Sequence, residues 1–106
     1  MIINDLHTIT DICNEDITIT DSGTLSIKGI VNGDITIQSG GTLILHGIAN
    51  GNILVSPLST AEIYGTATNS IVNKGHVCIY GIVDTLINQS GTTDINNGAF
   101  VNGIQY

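Results

Sequence analysis

The chain is predicted to be all-β: one domain over residues 1–106, wound as a single-stranded β-helix (β-solenoid) of about five or six coils with 16–18 residues in each. Three observations predict it. The phrase GIVNGDITI at Gly29 returns as GIANGNILV at Gly47, and the glycines Gly29, Gly47, Gly65 and Gly81 follow one another at 18, 18 and 16 residues. Within each copy, as in ITIT, ITIQ and LSIKG, apolar and polar residues alternate with the two-residue period of a strand. The apolar fraction is 42% while the aromatic fraction is 4% and Trp is absent, so the core must be built from Ile, Val, Leu and Ala in regular order. These observations leave the handedness of the coil open.

Each glycine anchor closes a similar segment: TLSIKG, TLILHG, AEIYG and HVCIYG, with a degenerate copy, TTDINN, ending at Asn97 and an earlier one laid over Ile9 to Asp11. Two residues before the anchor stand Ile9, Ile27, Leu45, Ile63, Ile79 and Ile95, which are expected to point inward. Two after it stand the smaller Cys13, Val31, Ala49, Ala67, Val83 and Ala99, and six after it Ile17, Ile35, Ile53, Ile71 and Ile87; both columns are expected inside. Eight after it the column reads Ile19, Ile37, Val55, Asn73 and Gln89, so the later coils are expected to be shorter and more polar there.

Asn-Gly pairs ordinarily mark hairpins, but the fixed recurrence of Asn32-Gly33, Asn50-Gly51 and Asn97-Gly98 makes them corners of a coil. Asn14, Asn32 and Asn50 then share one corner column, where their amides are placed to bond up the stack. Gly33 and Gly51 beside them are expected to supply a positive φ. The segment SPLSTAEIYG holds Pro57, the only proline, and is expected to be a looser connection.

Nine acidic residues against two lysines give a net charge of −7, which disfavours nucleic acid and anionic membrane as partners and favours a basic protein. Asp5, Asp11, Glu15, Asp16, Asp21 and Asp34 all fall in the first 34 residues, so the field is concentrated toward one end of a solenoid. No apolar run reaches the roughly 18 residues of a membrane span, and the N-terminal MIINDLHTITDICNEDITIT carries acids where a signal peptide carries positive charge. A cytoplasmic protein with Cys13 and Cys78 as free thiols is the expectation.

The run G-I-V-N-G-D-I, followed by G-G-T-L, a strand and another G-x-x-x-G, resembles the bactofilins, bacterial polymer-forming cytoskeletal proteins with a β-helical core. The resemblance covers Asp11 to Ile104 and rests on repeat form; GAFVNGI, from Gly98, is similar to the closing phrase of such solenoids. It implies end-to-end stacking into filaments, for which Leu6 and Ile9 at one end and Phe100 and Ile104 at the other are the candidate contacts. Bactofilins carry tails beside this core, whereas here the repeats are expected to run from almost Met1 to Tyr106. The acids crowded at one end would also repel each other in a head-to-head contact.

No catalytic residue, cofactor or metal is expected. His7, His46 and His76 fall in three different copies and read as surface or corner residues, without a transferase pattern around them. His76-x-Cys78 puts two ligand types on one face of a strand, the first half of a zinc site with no evident second half. The outward positions say more. One before the anchor stand Lys28, His46, Tyr64, Tyr80 and Asn96, and three before it Ser26, Ile44, Glu62, Cys78 and Asp94. Ile44, His46, Glu62, Tyr64, Cys78, Tyr80 and Asp94 are therefore the candidate protein-binding face, with Asp11, Glu15, Asp16, Asp21 and Asp34 as candidate acidic contacts.

Two functions fit. The preferred expectation is a non-catalytic immunity protein that inhibits a basic, nuclease-like bacterial toxin by occlusion, its carboxylates taking the place of substrate phosphates. The other is a bactofilin-like scaffold that self-associates through its end coils.

Overall fold

The computed structural model describes residues Met1–Tyr106 and contains seventeen strands, numbered β1 to β17 in chain order, and no helix. They wind into a β-solenoid of about six coils. On the first face β2 (Leu6–Ile9), β5 (Thr24–Ile27), β8 (Thr42–Leu45), β11 (Thr60–Ile63), β13 (His76–Ile79) and β15 (Thr92–Ile95) form a six-stranded parallel sheet. The second face stacks β3 (Ile12–Cys13), β6 (Ile30–Val31) and β9 (Ile48–Ala49). The third stacks β1 (Ile2–Ile3), β4 (Ile17–Ile19), β7 (Ile35–Ile37) and β10 (Ile53–Val55). In the next two coils β12 (Thr66–Asn73) and β14 (Ile82–Asn88) run through the second and third faces without a break.

The inward columns follow from the alternation. Leu25, Leu43, Ala61 and Val77 lie in register, as do Ile27, Leu45, Ile63 and Ile79 on the same face. Twenty-three Ile, Leu, Val and Ala residues make one continuous core, and the aromatic residues stay outside it. Each coil bonds to the next through parallel ladders, so the apolar columns and the backbone bonds share one direction.

The corners depart from expectation in instructive ways. Gly33 and Gly51 do not have positive φ; among the glycines only Gly40, Gly98 and Gly103 do. What excludes a side chain is proximity: a Cβ on Gly33 would run into the Glu15 carbonyl oxygen, and one on Gly51 into that of Gly33. The anchors obey the same rule, since Gly29, Gly47, Gly65 and Gly81 each press on a carbonyl one coil earlier. The asparagine ladder forms as expected. Asn32 Nδ2 donates to Asn14 Oδ1 at 2.7 Å, Asn50 Nδ2 donates to Asn32 Oδ1 at 2.8 Å, and the Thr68 hydroxyl continues the ladder to Asn50 Oδ1 at 2.9 Å.

Pro57 is not in a loose connection. It occupies a tight turn in which Ser59 N–H donates to Ser56 C=O at 3.1 Å, matching the turns closed by Gly41 N–H to Gln38 C=O and Gly23 N–H to Thr20 C=O one and two coils earlier. The third residue of these turns has positive φ throughout: 68° at Ser22, 85° at Gly40 and 65° at Leu58.

Three column assignments change in the last coils. The register slips by one between Ala67 and Ser70, so Leu86 pairs with Ile71 and packs on the core while Ile87 is exposed. Val101, not Ala99, lies over Val83, because two more residues enter before that face; Ala99 is buried nonetheless. The eighth-position column passes from Val55 to a fully buried Asn73, whose ladder partner is Asn88 in place of Gln89.

The two ends differ. At the N-terminal end β1, β2 and β3 are edge strands, and Ile2, Leu6 and Ile12 are largely exposed. Ile9, expected both in the inward column and as an end contact, is 7% exposed and belongs to the core. At the other end β16 (Phe100–Val101) is covered by β17 (Ile104–Gln105), the one antiparallel pair. Asn102 and Gly103 both take positive φ between them, so this Asn-Gly pair does make the two-residue hairpin turn that the others do not.

Candidate functional site

The candidate face lies along the corner between the first and second faces. Parallel register sets Ile44, Glu62, Cys78 and Asp94 side by side on the outside of β8, β11, β13 and β15. Two residues further along each strand, at the corner itself, His46, Tyr64 and Tyr80 stack ring on ring. The His46 and Tyr64 centroids are 5.0 Å apart with planes 12° apart, and those of Tyr64 and Tyr80 are 4.6 Å apart with planes 4° apart. All seven residues expected to form the face are thus brought into two adjacent columns.

The columns are tied together. The Tyr64 hydroxyl donates to Glu62 Oε1 at 2.9 Å. Because that bond is given to a carboxylate, it stabilises the neutral phenol and raises the Tyr64 pKa above its ordinary value. The Cys78 thiol is also pushed up, first by burial and then by the charges of Asp94 and Glu62. His76, at the other end of β13, leans over the same strand: its Nε2 lies 3.2 Å from Cys78 Sγ and 3.3 Å from Asp94 Oδ2. Cys13 and Cys78 are both free thiols.

The acids of the N-terminal coils do not join this face. Asp16 and Asp34 stand at the corner between the second and third faces and carry structure there: Asp34 N–H donates to Asp16 Oδ1, and Asn52 N–H to Asp34 Oδ1, each at 2.8 Å. Glu15 shares that corner, and Asp21 belongs to the turn that leads from the third face back to the first. Only Asp11 falls in the glycine anchor column, at the N-terminal end of the tyrosine-bearing corner. The carboxylates of this face are Glu62, bonded to the Tyr64 hydroxyl, and Asp94, beside Cys78 in the neighbouring column.

One exposed column went unread in the sequence. Immediately after the anchors, Ile12, Ile30, Ile48, Thr66 and Ile82 lie in register on the outside of the second face, and Phe100, three after Asn97, continues the column beside Ile82. Ile12, Ile48, Ile82 and Phe100 are exposed. The signal was present as an apolar residue one after four of the anchors. An apolar stripe and an aromatic stripe therefore flank the same glycine column, and the glycines leave no side chain standing between them. No helix in the chain is long and apolar enough to cross a membrane.

Searches among protein families, curated proteins and solved structures find no match to this chain.

Proposed function

We propose that this chain is a non-catalytic protein-binding solenoid, an acidic immunity-type inhibitor that blocks a basic, nuclease-like bacterial toxin by covering it in the cytoplasm. The observation that carries this reading is the stack of His46, Tyr64 and Tyr80, with ring spacings of 5.0 and 4.6 Å on the outside of a rigid corner. Rings already held by their neighbours lose little freedom when a partner covers them, and Tyr supplies both apolar area and a hydrogen-bonding tip. Ile12, Ile48 and Ile82 extend the apolar area across the glycine column. Glu62 and Asp94 on the same face suit a basic partner. The acids at the other corners act at longer range: with a net charge of −7 the whole molecule attracts a cationic protein and speeds encounter.

The test is capture of a basic nuclease from a lysate of the source cells, and inhibition of that nuclease, using the native protein and the Tyr64→Ser/Tyr80→Ser variant. The reading expects the native chain to bind such a nuclease and block its nucleic-acid cleavage, and the double variant to lose both with its melting transition intact. Equal inhibition by the two chains overturns it.

A second reading has one specific observation behind it. The edge strands β1, β2 and β3 display unpaired backbone beside exposed Ile2, Leu6 and Ile12, the arrangement that templates association with another copy. Under this reading the chain is a bactofilin-like scaffold, and Phe100 and Ile104 are its contacts at the far end. Electron microscopy of the purified protein separates the two: filaments that Leu6→Lys abolishes support assembly, and a monomer at high concentration removes it.

A further inference from the structure

We propose that His76, Cys78 and Asp94 form a binding site for a single zinc-class divalent cation, with three protein ligands and a fourth position open to solvent. The site shares Cys78 and Asp94 with the candidate protein-binding face, but its test is independent of that reading, since the metal alone is its probe.

The geometry comes from the sheet. His76 and Cys78 are two apart on β13 and so share its outer face, and the ladder sets Asp94 of β15 directly beside Cys78. The imidazole nitrogen, the thiol sulfur and a carboxylate oxygen all lie within 4.8 Å of one another. A tetrahedral zinc ion with bonds of about 2.0–2.3 Å holds its ligand atoms roughly 3.3–3.6 Å apart. The distances from His76 Nε2 are 3.3 Å to Asp94 Oδ2 and 3.2 Å to Cys78 Sγ, already within a few tenths of an ångström of that spacing, and the Cys78 and Asp94 ligand atoms, no more than 4.8 Å apart, need only close on each other around the ion.

The donor set narrows the ion. One imidazole, one thiolate and one carboxylate match the borderline-soft preference of Zn²⁺, whereas Mg²⁺ and Ca²⁺ favour sites made of oxygen. The local contacts point the same way. Both Cys78 Sγ and Asp94 Oδ2 converge on His76 Nε2, which has one in-plane position to offer, so the two partners compete for it. A cation at that position satisfies all three. Glu62, next to Cys78 on the other side, already accepts a hydrogen bond from the Tyr64 hydroxyl and is left out of the set. The ligands come from two coils, so an ion would also clamp β13 to β15 near the C-terminal end of the first sheet.

The test is titration of the reduced, chelator-treated full chain with Co²⁺, followed by displacement with Zn²⁺. The expected result is one cobalt per chain, with a thiolate-to-metal band in the near ultraviolet that zinc removes. Cys78→Ser should abolish the band, His76→Asn and Asp94→Asn should weaken binding at least about tenfold, and Cys13→Ser should leave it unchanged. Circular dichroism shows whether each variant is folded. Should Cys78→Ser unfold, zinc protection of the native thiols decides: the proposal expects Cys78 to be shielded from alkylation and Cys13 to react as before. Absence of a thiolate band, or a band lost in Cys13→Ser and kept in Cys78→Ser, overturns the site.

Discussion

Asn73 Nδ2 donates to Asn88 Oδ1 at 3.1 Å from a position where the coil before it buries Val55. The same amide reaches Thr92 C=O at 2.9 Å and Thr93 Oγ1 at 3.0 Å, and Gly75 N–H donates to Asn73 Oδ1 at 3.0 Å. An apolar column thus ends in a polar plug that ties the third face to the start of the first. Asn73→Val repeats the residue found one coil earlier, yet should destabilise by about 2 kcal/mol, because it leaves buried donors and acceptors without partners. Thermal melting should show a drop of about 8 °C. An unchanged transition would mean that the plug is dispensable.

Gly47 and Gly98 should fail for different reasons. A Cβ at Gly47 meets the Gly29 carbonyl oxygen, so Gly47→Ala must push two coils apart and should cost about 3 kcal/mol. Gly98 has open space around it and a φ of 92°, so Gly98→Ala pays only for its backbone conformation, about 1 kcal/mol. Chemical denaturation of the two variants should rank them in that order; the reverse order would contradict close stacking as the cause of the anchor glycines.

Leu58 stores strain where the chain gains nothing from its side chain. It is 87% exposed and has a φ of 65°, in the turn position that Gly40 occupies one coil earlier. Leu58→Gly should relieve about 1–2 kcal/mol of backbone strain and lose part of that to the greater freedom of the unfolded chain. The net expectation is a melting temperature about 4 °C higher. A lower one would assign the exposed leucine a packing role.

The bond from Tyr64 to Glu62 should be visible in the alkaline titration. With its pKa raised by that bond, Tyr64 keeps its proton above pH ~10, where an unperturbed phenol is half ionised. The folded chain then holds a proton that the unfolded chain has lost, so this small contribution to stability is present below that pH and disappears as the pH climbs further. Phenolate absorbance of native protein and Glu62→Gln should differ in one of the three tyrosines, which ionises earlier in the variant. Superimposable curves would break the assignment.

The solenoid, its inward columns and the asparagine ladder were legible in the sequence, because alternation by two and recurrence at 18 residues are local facts that repeat themselves. Residues such as Ile27, Leu45 and Ile63 need only their own strand to declare an inner face. The tyrosine face was legible for the same reason, since His46, Tyr64 and Tyr80 share one offset from the anchors. What only the tertiary structure decided depends on how many residues each corner consumes. One residue fewer in the fifth coil puts Leu86 in the core and Ile87 outside. The shared offset already put Asp94 beside Cys78, but only the stacked structure brings His76 Nε2 to 3.3 Å from Asp94 Oδ2, while Asp16 and Asp34 go to a different corner and bond to the backbone there. Which side chains meet across coils is set by the register of parallel ladders, and that register is a property of the stacked chain and not of any one repeat.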